Sequence, residues 1–202
     1  MRALRPPVGY TAANLTHWST PMARIANATR ETFPDSLKYV WDKTMGGPTG
    51  AANIFATMGN NPEVLRGYLR CGNALWASCG LDVRTRELVI LRCAYLKNSA
   101  YEWHQHVRIG REAGITDEQT NALRDWGPSK LFSPPERALF AYADALNVSN
   151  HPGKPTFDEL SKHFDASTVV GVTILAAFYF ATAAFLGAME VETETDFVGW
   201  EL

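Results

Sequence analysis

The residue types that could do chemistry crowd into one short run, Ser99-Ala100-Tyr101-Glu102-Trp103-His104-Gln105-His106. Read as a helix, this run puts Glu102 and His106 four residues apart on one face, shared with Ile109 and Ala113. His104 points elsewhere, with Tyr101, Arg108 and Arg111 on the wetter side. A carboxyl and an imidazole on a partly apolar face suit proton transfer. Burial raises the carboxyl pKa, and a neighbouring charge holds the imidazole in a usable protonation state. The same residues also have plainer explanations. Ser99-x-x-Glu102 is a helix capping box, which accounts for the glutamate without any chemistry. His104-x-His106 does not face one way on a helix, and the H-E-x-x-H spacing of a zinc helix is absent, so no metal is expected.

A third ionisable group lies just upstream, in Asp82-Val83-Arg84-Thr85-Arg86-Glu87-Leu88-Val89-Ile90-Leu91. The apolar run after Glu87 places it where a helix enters the core. Its plainer role is an ion pair with Arg84 or Arg86. A short turn at Lys97-Asn98 folds the two helices back to back and allows Glu87, Glu102 and His106 to approach one another.

The elements that would carry these residues are punctuated clearly. Helices are expected over about 21–30 and 34–43, before the break at Gly46-Gly47-Pro48. Asn61-Pro62-Glu63 supplies an N-cap, a proline at the first helical position and an acid in the first turn, opening a helix that stops near Gly80. Asp82 caps the next helix, and Ser99 opens one ending at Gly114. Thr116-x-x-Gln119 and Ser133-x-x-Glu136 open two more, and a short helix near 157–163 precedes a long apolar one. Strand-like alternation occurs only, and weakly, at Val191–Phe197. The chain reads as one all-α domain over 1–202, with an irregular arm at 1–19 and a tail at 190–202.

The sequence has 202 residues, 46% hydrophobic and 20% charged, with net charge −2 and no run of like charge. That balance suits a globular protein and excludes the basic face that nucleic acid requires. Cys71, Cys79 and Cys93 are too few and too scattered for a disulfide framework, which points to a reducing cytoplasm. The first residues contain no apolar signal region. Thr168–Met189 is chargeless and long enough to span a bilayer, but acids flank it and no basic cluster orients it. It is read as a helix buried in the core or at a subunit interface, with no membrane partner.

Together, R-x-R-E-L-V-I-L-R (Arg84–Arg92), Y-E-W-x-x-H (Tyr101–His106) and Gly114 resemble the carboxymuconolactone decarboxylase family, within the alkylhydroperoxidase D-like superfamily. The resemblance is strongest from about 61 to 126. It implies an alkylhydroperoxidase D-like helical bundle, trimeric assembly or a multiple of it, and a small-molecule pocket between helices. Glu102 and His106 then act as acid and base, oriented by Glu87, with Arg84 meeting a substrate carboxylate and Tyr101 and His104 at the mouth. In the peroxidase branch of the superfamily a C-x-x-C pair does the redox work; its positions here are Ser99 and Glu102. The implied activity is therefore cofactor-free and decarboxylase- or lyase-like, on a small oxygenated acid or lactone. A degenerate antioxidant protein and a non-catalytic binding protein of the same fold stay open as alternatives.

Overall fold

The computed structural model describes residues 23–45 and 53–194, and these are helical with no strand among them. A 3₁₀ turn at Arg30–Thr32 and another at Asp35–Leu37 lead into α1 (Lys38–Met45). Then come α2 (Asn53–Met58), α3 (Pro62–Ser78), α4 (Val83–Leu96) and α5 (Ala100–Glu112). They are followed by α6 (Asp117–Ala122), α7 (Pro134–Ser149), α8 (Lys154–Ser161) and α9 (Ala166–Met189). The all-α reading holds. The helix expected over 21–30 is not formed: within the described part, residues 23–29 are irregular, and only the 3₁₀ turn follows. The short α2 has no counterpart in the sequence reading. Val191–Glu194 runs without regular structure, and the rest of the expected tail strand, like the arm, lies outside the described residues.

Helix starts follow the local chemistry. The Asn61 side chain accepts from the Val64 N–H, Asp82 from Thr85 and Asp165 from Thr168, while Thr116 and Gln119 close a capping box. The Ser99–Glu102 box does not form, since Ser99 makes no side-chain cap bond. Glu102 turns inward instead.

The centre of the fold is α4, buried continuously from Arg86 to Ala94 and packed against α5, α7 and α9. Leu88, Leu91, Trp103, Leu139, Phe140 and Leu175 are sealed completely. Each such side chain contributes about 1.5–3 kcal/mol. A helix buried on all sides forces its two early charges, Arg86 and Glu87, to find partners inside the protein. The reversal from α4 to α5 takes three residues, with Asn98 left-handed at φ 52° and the Ser99 N–H returning to the Ala94 carbonyl. That tight turn sets α5 directly beside α4.

The long α9 packs against α3, α4, α7 and α8. At Gly171 the backbone of α9 comes so close to α3 that a Cβ would collide with the Cys79 carbonyl. By length and composition α9 could cross a bilayer, yet 44% of its most apolar stretch is buried within this chain. Its outer side shows Val170 and Ile174, 63% and 48% exposed. The inner face is thus a core face, and the outer one is not covered by the described residues.

Candidate active site

Two of the three predicted groups meet directly. His106 Nδ1 and Glu87 Oε2 lie 2.6 Å apart, with Glu87 fully buried and His106 nearly so. Arg86 completes the pair from the other side: its Nε and Nη2 donate to Glu87 Oε1 at 3.1 and 3.0 Å. Its third nitrogen, Nη1, donates to the Trp76 carbonyl at 2.8 Å, and the guanidinium lies 4.4 Å from the Trp76 ring centroid. Of the two ion-pair partners open for Glu87, the structure selects Arg86.

Glu87 accepts from Nδ1–H, which fixes the orientation of the ring and selects the tautomer with its other nitrogen, Nε2, turned away from Glu87. Rings from two further helices frame it. Tyr179 of α9 sits edge-on at 5.0 Å and Trp76 of α3 at 6.2 Å between centroids. The Trp76 indole N–H donates to the Tyr179 hydroxyl at 3.0 Å, closing the frame.

Glu102, one helical turn before His106, is 3% exposed. Its Oε2 is buried without a hydrogen-bond partner among the described residues. No hydrogen bond joins it to His106 or Glu87. Burial pushes its carboxyl well above the usual carboxylate range, since nothing nearby offsets the lost solvation. Tyr68, Cys93 and Tyr179 all lie within electrostatic reach of this carboxyl. Burial pushes the Cys93 thiol up, with the Glu102 charge adding to that, so Cys93 is kept as a thiol rather than a nucleophilic thiolate.

The raised carboxyl pKa has a consequence for stability. The folded state holds the Glu102 proton more tightly than the unfolded chain does. The stability this contributes is full below the ordinary carboxyl value of 4.5 and is lost as pH rises through the folded value. A Glu102→Gln protein has no such loss. Its melting temperature is expected to gain on the wild type as pH rises above 4.5, then to level off. Parallel curves for the two proteins across this range would contradict the buried neutral acid.

The remaining predicted residues fall elsewhere. Arg84 is not at the cluster: its Nη1 donates to Glu136 of α7 at 2.6 Å. It borders an open groove of about 470 Å³ with Asp82, Ile109 and Glu112, which holds none of the three site residues. Tyr101 and His104 are buried, not on a wetter side as the helical wheel suggested. The Tyr101 hydroxyl donates to Glu194 at 2.6 Å and accepts from the Ile54 N–H at 3.3 Å. Gln105 also donates to Glu194, at 2.8 Å. Tyr101 therefore ties α5 to the segment after α9 and to α2, which leaves it no open mouth to line. Among the described residues no three His, Cys, Asp or Glu side chains gather as a metal site.

Sequence reasoning missed Trp76, Tyr68 and Tyr179, and gave Arg86 only a passing place. Tyr179 carried a usable signal, being the sole tyrosine in a chargeless helix. The aromatic residues of α3 carried none.

Residues 62–145, from the first turn of α3 into α7, match the carboxymuconolactone decarboxylase family. That match spans less than half of the chain and marks a likeness to the family from α3 into α7. The uncharacterised protein YnjA of Escherichia coli (strain K12) is 31% identical over 93 residues, which cover 44% of this chain and 48% of YnjA. The chain thus matches about half the length of that relative. Among solved structures, an uncharacterised peroxidase-related protein with an alkylhydroperoxidase AhpD core, from Ralstonia eutropha JMP134, superposes with a TM-score of 0.77 at 16% identity. That match covers 90% of this chain and 98% of the other. The debrominase Bmp8, a cysteine-to-alanine variant in complex with 2,3,4-tribromopyrrole, superposes with a TM-score of 0.70 at 17% identity, covering 86% and 95%. At such identities the likeness is one of fold. The alkylhydroperoxidase D-like bundle expected from the sequence is the fold observed.

Proposed function

We propose that this protein is a cofactor-free acid/base enzyme, lyase-like in its chemistry, acting on a small oxygenated acid or lactone. The observation that carries the proposal is Glu102: a buried carboxyl, freed from its capping role, one turn from an imidazole anchored at its far nitrogen. In this reading His106 Nε2 takes a proton from an acidic carbon of the substrate. Glu102 donates its proton to the oxygen on which negative charge develops and takes it back as the enol collapses, while the His106 imidazolium delivers the proton it abstracted to carbon. Glu87 stabilises the imidazolium formed in the first step, and Arg86 keeps Glu87 in place. Arg84 has no part in this, since it is already committed to Glu136. Incubating the purified protein with lactones, muconate derivatives and peroxides tests the reading; turnover of peroxides alone would contradict it.

Thiol chemistry is not required. Cys71 is exposed, Cys79 and Cys93 are buried, all three are free, and the superfamily's two thiol positions are Ser99 and Glu102. A Cys71→Ser/Cys79→Ala/Cys93→Ala protein is expected to keep its turnover, placing the enzyme comfortably in a reducing cytoplasm. A folded but inactive triple variant would restore the peroxidase reading.

The proposal extends to assembly as a homotrimer or a multiple of it. The exposed Val170 and Ile174 on an otherwise apolar helix are the sort of surface that association covers. Light scattering at micromolar concentration is expected to give an oligomer, and Ile174→Glu to weaken it. A monodisperse monomer would contradict this.

A further inference from the structure

We propose that Glu194 is a positioning residue for the acid/base pair: its carboxylate staples the turn of α5 that carries Glu102 and His106, and holds Glu102 turned inward. The inference rests on the reading that these two side chains form one site, and not on the reaction they carry out.

The staple is built from three donors. The Tyr101 O–H and the Asn53 N–H donate to Glu194 Oε1 at 2.6 and 2.9 Å, and Gln105 Nε2 donates to Oε2 at 2.8 Å. Tyr101 and Gln105 lie one helical turn apart on α5, and each directly precedes a site residue, Glu102 and His106. One carboxylate therefore fixes both ends of the turn. Burial first, and then the Glu194 charge, push the Tyr101 hydroxyl up, so it stays a donor. The backbone that presents Glu194 is itself held. Glu190, left-handed at φ 50°, ends α9, and the Val191 N–H donates to the Leu186 carbonyl at 3.1 Å. Val191 is buried in one apolar cluster with Tyr101 and Ile54, and the Glu192 carbonyl accepts from Asn53 Nδ2 at 2.9 Å.

The turn needs such a hold because its own sequence favours another arrangement. Turned inward, Glu102 leaves Oε2 buried and unpartnered and gives up the cap that Ser99 offers. Ser99 keeps the extended backbone of an N-cap residue, φ −96° and ψ 91°, so the capping box stays open to a Glu102 that swings out. A frayed first turn allows that swing. A stapled one keeps the carboxyl near Tyr68, Cys93 and Tyr179. Hydrogen bonds to a carboxylate are roughly twice as strong as neutral ones, and those that Glu194 accepts offset the lost cap bond.

The test is an NMR titration of the Glu102 side-chain carboxyl carbon in intact Glu194→Ala and Glu194→Gln proteins beside the wild type, together with amide exchange across α5. In Glu194→Ala the midpoint is expected to fall by about one pH unit or more as the carboxyl gains solvent. Amides in the stapled turn should exchange about 10-fold faster. Glu194→Gln keeps one carbonyl oxygen for Tyr101 and Asn53 and should fall between Glu194→Ala and the wild type. Arg24→Ala loosens the end of α9, where Arg24 bonds the Ala188 carbonyl and Glu190, but leaves the staple intact. It should lower the melting temperature without moving Glu102. If Glu194→Ala does not fold, Tyr101→Phe, which removes a single donor, is expected to give the same signs. An unchanged Glu102 midpoint in the folded variants, or an equal fall in Arg24→Ala, would overturn the proposal. A wild-type Glu102 that titrates with the exposed glutamates would instead contradict the acid/base reading. Unchanged α5 exchange in Glu194→Ala would then overturn the staple by itself.

Discussion

Turnover of a Glu102→Gln protein is expected to fall by about 10²-fold or more, with its melting temperature at neutral pH preserved or raised. Glutamine matches the shape of a protonated glutamate and lacks only the transferable proton. Had Glu102 been the capping partner of Ser99, the same change would have preserved its role, because glutamine serves that box position equally. The structure removes that explanation: the box is unformed and the carboxyl lies inside. His106→Asn makes the parallel test from the base, keeping a polar side chain while removing the titrating ring. Turnover and melting temperature measured together separate chemistry from folding. Near-normal turnover in both variants would reduce the cluster to a structural one.

The largest effect on stability is expected at Glu87. Its side chain is fully buried and Arg86 is 5% exposed, so Glu87→Gln leaves a guanidinium inside the protein without its counter-charge. Removing one partner of a buried pair costs about 3–5 kcal/mol. In a domain of this size that corresponds to a fall in melting temperature of roughly 6–20 °C. Arg86→Met in the Glu87→Gln background is expected to restore much of the loss, since the orphaned charge goes too. The doubly changed protein should fold yet turn over poorly, because His106 has lost the carboxylate that fixes its tautomer. A thermal shift within error for Glu87→Gln would contradict the buried triad.

The elements were legible where backbone chemistry is local. Asn61, Asp82 and Thr116 each accept a backbone N–H at a helix start, an interaction that sequence spacing specifies within four residues. Ser99 shows the limit: the same spacing is present, but burial of Glu102 against α3, α4 and α9 outweighs the cap. The pairing of Glu87 with His106 was legible because a short turn leaves two helices few options but to lie back to back. Arg84 misled for a related reason. Three residues separate it from Glu87, near enough on a helix to suggest a common site, yet its long side chain reaches across to Glu136 of α7. Trp76, Tyr68 and Tyr179 come to the site from distant parts of the chain, and nothing local in their sequence records that approach. The helix over 21–30 failed because proline and a few helix formers supply a start but no apolar face with which to pack.

Central to this account is an uncharged acid at Glu102 beside an imidazole held by Glu87. The most direct measurement is an NMR titration of the Glu102 side-chain carboxyl carbon in the intact protein. The account predicts that this carbon keeps its protonated shift well above the ordinary carboxyl value of 4.5, where exposed glutamates have already ionised. Titration of Glu102 together with the exposed glutamates would contradict it.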